Sequence, residues 1–175
     1  MTSIFSPLRA FHFCPKCGCS DFAANTHNSL KCLACGFTYY INMSAAVAAV
    51  IRNEKGEILF TVRKHEPAAG MLDLPGGFVD LGETAEHAVI REVQEELNLE
   101  ITGVEFLASY TNKYIYKEIE YQTLDLAFHC RVGSFLNLKA ADDVSGFVFR
   151  SPYEVKADEI GLESIRKILL SLKGE

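Results

Sequence analysis

Between Gly77 and Leu99 the chain reads GFVDLGETAEHAVIREVQEELNL, with Glu92, Glu95 and Glu96 inside one and a half turns of a predicted helix. Residues three and four apart share a helix face, so these carboxylates are predicted to converge. Ala85, Val89, Ile90, Val93 and Leu97 form the apolar stripe of the same helix. On a helical wheel Glu96 falls between Ala85 and Val89, and Glu92 lies beside Ala85. The acidic groups therefore face the body of the protein, where an unpaired charge is costly. A solvated charge run would put them on the opposite face. Hard oxygen ligands at this spacing suit magnesium or manganese, which would turn the repulsion into attraction.

Gly76 and Gly77 follow Leu74-Pro75, a pattern that marks a backbone bending sharply or approaching something closely. Asn98 follows the helix, and Asn suits the left-handed conformation that ends one.

These residues resemble the Nudix box of the MutT-like nucleotide hydrolases. That pattern runs from a glycine through five residues to Glu, then seven residues to Arg-Glu, an apolar residue, any residue and Glu-Glu. Any residue, a glycine and an apolar residue complete it. Here it is carried by Gly77, Glu83, Arg91, Glu92, Val93, Glu95, Glu96, Asn98 and Leu99, and only the last glycine departs. The resemblance implies that Glu92, Glu95 and Glu96 ligate Mg2+ or Mn2+. It further implies that Arg91 pairs with Glu83, and that Gly76 and Gly77 turn the backbone and offer a carbonyl to a metal. The implied fold is α/β, an α/β/α sandwich with a mixed sheet. The implied activity is hydrolysis of the pyrophosphate in a nucleoside diphosphate linked to another group. Glu95 or Glu96, or a loop carboxylate such as Glu118 or Glu120, would accept the proton.

Cys14-Pro-Lys-Cys17-Gly and Cys32-Leu-Ala-Cys35-Gly are two matched knuckles separated by 14 residues. Two such pairs supply the four thiolates of a structural zinc site. So short a segment buries little surface, and a metal staple would hold it together. Cys19 is out of phase with the knuckles, and Cys130 sits in an apolar run as plain core. The expected organisation is a zinc ribbon over residues 1–41 and a hydrolase domain over 42–175.

The longest apolar run, Ala45 to Ile51, is too short to cross a bilayer. The first residues lack the charged start and apolar stretch of a signal peptide. A cytoplasmic protein is expected, in which six cysteines point to metal more than to disulfides. The net charge is −6, divided as +2 over residues 1–44 and −8 over the rest, which argues against a broad nucleic-acid surface.

Strands are expected at Ser44 to Arg52 and Glu57 to Arg63, joined by a turn. Further strands are expected at Val104 to Ser109, Tyr121 to Val132 and Phe147 to Phe149, with a closing helix near Asp158 to Leu170. Arg63, at a strand end, could meet a phosphate with its planar fork or simply stand exposed. Tyr110, Tyr114, Tyr116 and Tyr121 cluster after the box, where alternating aromatics suit a half-buried strand better than base stacking. Glu118 and Glu120 are read in a loop, and His65 and His87 on the surface.

A zinc ribbon ahead of such a domain resembles the NADH pyrophosphatase and ADP-ribose pyrophosphatase branch, often homodimeric. The extra Ser-Gln-Pro-Trp-Pro-Phe-Pro array of the NADH enzymes has no counterpart between Thr102 and Gln122, and the chain has no Trp. ADP-ribose, NADH or a related dinucleotide are the first candidate substrates. The alternatives are a non-catalytic sensor of ADP-ribose-like ligands and an RNA-end processing module.

Overall fold

The computed structural model describes residues 5–174. Residues 1–4, on which the signal-peptide reading partly rests, lie outside the described residues, as does Glu175. The chain forms two compact units, residues 1–43 with 113–122 and residues 44–112 with 123–175.

The first unit contains β1 (Phe22–Thr26), β2 (Ser29–Cys32) and β3 (Thr38–Tyr40), an antiparallel sheet in that order. Its core is small: Cys14, Phe22, Leu30 and Cys32 are buried, with Leu8, Cys19, Phe37 and Ile41 packed against them.

The second unit begins with β4 (Ser44–Ile51), β5 (Ile58–Arg63) and β6 (Leu72–Asp73). The turn between β4 and β5 is the expected one, with the Asn53 side chain accepting the Lys55 and Glu57 amides at 3.0 Å each. The box helix is α1 (Ala85–Leu97), followed by β7 (Ile101–Tyr116), β8 (Ile119–Val132), β9 (Val144–Arg150) and α2 (Glu163–Leu172). The mixed sheet is built in two pieces, β4-β8-β7 with β4 parallel to β8, and β6-β5-β9 with antiparallel pairing.

The apolar run of β4 is buried on both faces. Ala48 and Val50 pack in one core with Ile165, Ile168, Leu169 and Leu172 of α2. Val47, Ala49 and Ile51 pack in another with Ala88, Val89, Val93 and Leu97 of α1. Each fully buried Val or Leu contributes about 1.5–3 kcal/mol against exposure, so these stripes hold the helices to opposite sides. This is the expected sandwich.

Four details differ from expectation. Ile90 is 38% exposed, and Ala88 takes its place on the buried stripe. Ile160 is buried but precedes α2, which begins at Glu163. The strand expected to end at Ser109 runs on to Tyr116, and the next starts at Ile119. Glu120 thus lies in a strand, and only Lys117 and Glu118 make the turn, both with positive φ. Such two-residue turns usually carry Asn-Gly, so Lys-Glu gave no turn signal. Tyr114 and Tyr121 stack with ring centroids 5.7 Å apart, in keeping with the strand reading of the tyrosines.

Candidate active site

Local chemistry sets both ends of α1. Thr84 caps its start, accepting the His87 amide at 3.3 Å. Asn98 ends it in the left-handed conformation, φ 54 and ψ 37, with its amide bonded to the Gln94 carbonyl. The departure from glycine therefore preserves the helix end. Gln94 and the Asn137 carbonyl engage the two ends of the Asn98 side-chain amide.

Arg91 organises the face before the box acids. It meets Glu83 with two prongs, Nε to Oε1 at 3.0 Å and Nη2 to Oε2 at 2.9 Å. Nη2 also donates to the Phe78 carbonyl at 3.0 Å, tying the helix to the preceding loop. Nη1 reaches Glu92 at 2.9 Å and Glu95 at 3.0 Å. The Glu83 pairing follows the expectation; the other two contacts were missed, although the spacing of Arg91 and Glu95 is a recognised helical pair.

Glu96 is handled differently. It is 7% exposed, and Oε2 accepts the Gly76 amide at 3.0 Å. Gly76 has φ 149, and a Cβ there would overlap the Val47 carbonyl. A Cβ on Gly77 would overlap the Glu92 carboxylate. The two glycines thus let backbone pass between β4 and the acidic helix. The Pro75 and Gly77 carbonyls accept from Ala49 and Val47 of β4 at 2.7 and 2.8 Å.

The three carboxylates do not gather around one point as predicted. Among the described residues, the group of three or more such side chains with ligand atoms all within 4.8 Å of one another is Cys14, Cys17, Cys32 and Cys35. Arg91 draws Glu92 and Glu95 toward itself, while Gly76 holds Glu96. The donor set still fits a hard divalent cation: carboxylate oxygens, two of them largely desolvated, beside a backbone with no side chain in the way.

The electrostatics show what a cation would relieve. Burial pushes the Glu96 carboxyl up to about 8, against the Gly76 hydrogen bond and helped by the charges of Glu92, Asp73 and Asp142. Burial also raises Glu92, opposed by Arg91. Glu83 is held below its usual range by its hydrogen bonds to Arg91 and the Asp80 amide.

A pH dependence follows for the metal-free protein. The Glu96 value is higher folded than unfolded, so the unfolded chain releases this proton first as pH rises. Stability is fully present below about 4.5 and is lost as pH climbs through about 8. The depressed Glu83 acts oppositely, in a window below 4.5. Metal-free thermal melts should fall across the higher window in wild type and stay flatter in Glu96→Gln. Parallel curves for the two proteins would contradict this account.

Asp142 was passed over in the sequence. Its loop is fastened to the last carbonyls of α1, with the Lys139 amide on Leu97 at 3.0 Å and the Ala141 amide on Glu96 at 2.8 Å. Both Glu92 and Glu96 feel its charge. No local motif marks such a residue, because only the loop's return to the helix brings it there. Glu120 is instead paired with Lys113 at 2.9 Å, and Glu118 is exposed at the hairpin turn. His87 is exposed as expected, and His65 is an exposed partner of Asp143 at 3.5 Å.

Arg63 is neither exposed at a strand end nor presented as an open fork. Its Nε donates to the Pro67 carbonyl at 2.7 Å and its Nη1 pairs with Asp73.

In the first unit the Cys14–Cys35 and Cys17–Cys32 sulfurs lie 3.8 and 3.7 Å apart. A tetrahedral zinc with bonds of about 2.3 Å places its sulfurs about 3.8 Å apart, so the four cysteines fit one ion. All six cysteines are free thiols. Backbone amides of Cys35 and Ala34 draw the Cys32 thiol down to about 7, favouring a thiolate. Cys19 accepts the Asp21 amide at 3.4 Å, and Cys130 is buried core.

The profile of the NUDIX domain matches residues 43–170. The chain belongs to the Nudix family. The chain is similar to curated relatives named NAD-capped RNA hydrolase NudC. It is 29% identical over 101 residues to that of Vibrio vulnificus, covering 58% of this chain and 38% of the relative. It is 32% identical over 103 residues to that of Haemophilus influenzae, covering 58% and 39%. The chain thus spans less than two thirds of the length of these relatives. Among solved structures, a NUDIX hydrolase from Nitrosomonas europaea superimposes with TM-score 0.70 at 23% identity, covering 91% of this chain and 88% of that one. The NUDIX domain of Shewanella oneidensis NrtR, crystallised with ADP ribose, gives 0.62 at 18% identity, covering 77% and 90%. At these identities the two structures speak for the Nudix fold.

Among the described residues, no helix is long and apolar enough to cross a membrane.

Proposed function

We propose that this Nudix domain hydrolyses the pyrophosphate linkage of a nucleoside diphosphate joined to another group, using Mg2+ or Mn2+. The observation that carries the reading is Glu96, a desolvated carboxylate held by the Gly76 amide with Glu92 beside it. Such a group is costly for folding and suited to a cation that arrives with an anionic substrate. A bound cation would polarise the diphosphate and acidify a water.

Glu92, Glu95 and Glu96 would hold the cations, with the Gly76 carbonyl as a further donor. Arg91 and Glu83 fix the helix on its loop, so that the carboxylates keep their orientation. Gly76 lets the backbone pass close to Val47, and Gly77 keeps the backbone bare beside the Glu92 carboxylate, where a cation and substrate phosphate would meet. Glu95 or Glu96, or a loop carboxylate, would accept the proton; Asp142 joins Glu118 and Glu120 as a candidate because its loop is fastened to the Leu97 and Glu96 carbonyls at the end of α1. Residues 1–41 would form the ribbon around one structural Zn2+ on Cys14, Cys17, Cys32 and Cys35, and residues 42–175 the hydrolase. A homodimer is proposed by analogy with the pyrophosphatase branch.

ADP-ribose and NADH are the first candidate substrates, and the NudC relatives add RNA ending in NAD. The test is AMP or 5′-phosphorylated RNA release from ADP-ribose, NADH, NAD, FAD, a diadenosine polyphosphate and NAD-capped RNA, with and without metal. Metal-dependent cleavage of any of these supports the hydrolase, and their ranking names the subclass. Tight ADP-ribose binding without cleavage of any substrate would favour the sensor instead.

A further inference from the structure

Asp73 is a buried carboxylate to which the proposed chemistry gives no part. It ends β6, paired with Thr61 of β5, two residues before Arg63. Its Oδ2 accepts from Arg63 and its Oδ1 accepts the Leu74 amide at 2.8 Å. Arg63 is pinned in turn by Pro67, and its backbone closes the intervening loop through the Gly70 and Met71 contacts at 2.8 and 3.0 Å. Immediately after Asp73, the chain bonds to β4 through Pro75 and Gly77 and to Glu96 through the Gly76 amide.

The segment 74–77 is therefore fastened at one end by an ion pair and along its length by β4. Glu96 hangs from its middle. A buried ion pair costs desolvation and adds little net stability compared with apolar packing, so stability alone is a poor account of it.

We infer that Asp73 and Arg63 are positioning residues that hold segment 74–77 in register with Glu96, and so set how tightly the acidic site takes a divalent cation. Arg63 then acts through Asp73 and not as a phosphate ligand. The inference rests on the metal-dependent reading of the site.

The test uses the full zinc-loaded chain with Asp73→Asn, Arg63→Gln and Arg63→Lys. Mn2+ affinity is measured by electron paramagnetic resonance, and hydrogen exchange at the Gly76 amide is measured without Mn2+. kcat and KM are taken on the best substrate. Asp73→Asn and Arg63→Gln should each weaken Mn2+ binding and lower kcat about tenfold or more, with KM within about twofold of wild type. The Gly76 amide should lose protection in both, and Arg63→Lys should restore part of each effect. A rise in KM alone for Arg63→Gln would make Arg63 a phosphate ligand and overturn the inference. So would a lower melting temperature with unchanged Mn2+ affinity and Gly76 protection, the mark of a packing pair. A wild type that binds Mn2+ but cleaves nothing would sink the hydrolase reading, while the Mn2+ and exchange arms still decide this one.

Discussion

Glu96→Gln will lower turnover by about a hundredfold or more, by loosening the cations, while making the metal-free protein more stable above pH 8. The two effects have one cause. Glu96 is 7% exposed, and burial drives its carboxyl up to about 8. Gln keeps the shape and an oxygen to accept the Gly76 amide, so the segment 74–77 retains its anchor. It removes the charge that folding must desolvate. Once the wild-type group is ionised, the relief is on the order of 5 kcal/mol. The same charge is what a cation would need, and a neutral amide is a much poorer ligand for Mg2+. Turnover by the metal-loaded enzyme and melting of the metal-free protein at pH 8.5 should therefore move in opposite directions. A variant that is inactive and less stable would mean that Glu96 is chiefly a packing group. One with near-normal turnover would remove it from the metal site.

Cys32→Ser is expected to abolish zinc binding and to unfold the β1–β3 sheet. Among the described residues, four form the buried hydrophobic core of the first unit, two of them knuckle cysteines. That core is too small to order the segment without a staple. Structural zinc in comparable sites contributes roughly 10 kcal/mol or more of apparent binding free energy at neutral pH, far beyond what a few side chains supply. Cys32 is fully buried, with its sulfur 3.7 Å from that of Cys17, so serine leaves both an incomplete ligand set and a misplaced polar group. The expected results are one zinc per wild-type chain by elemental analysis and less than one in the variant. The amides of β1 to β3 should lose hydrogen-exchange protection, while those of α1 and the β4–β8 pair keep theirs, because that unit has its own cores. Full zinc content and unchanged protection in Cys32→Ser would refute the staple.

Much of this was legible because the information was local. The α1 boundaries follow from Thr84 and Asn98, each acting within a turn of itself. The placement of Glu96 toward the core follows from helical angle alone. The β4–β5 turn follows from Asn53 and Gly56. Where local signals were weak, the reading failed. Lys117-Glu118 carries none of the residues that usually mark a tight turn, so sequence alone gives short strands and a loop where the structure has a long hairpin. Hydrophobicity alone places Ile90 on the stripe, yet it is 38% exposed and belongs to neither core.

The site divides in the same way. Residue types and spacing determined that a helix carries inward carboxylates, that Arg91 can reach Glu83, and that four cysteines stand in two matched knuckles. These are properties of neighbours along one helix or one turn, where backbone geometry leaves few choices. Only the tertiary structure decided that the Gly76 amide takes up Glu96, that Asp142 returns to the C-terminal end of α1, and that Arg63 is taken up by Asp73. Each depends on segments distant in sequence meeting across the fold, and a charge takes whichever partner burial leaves within reach.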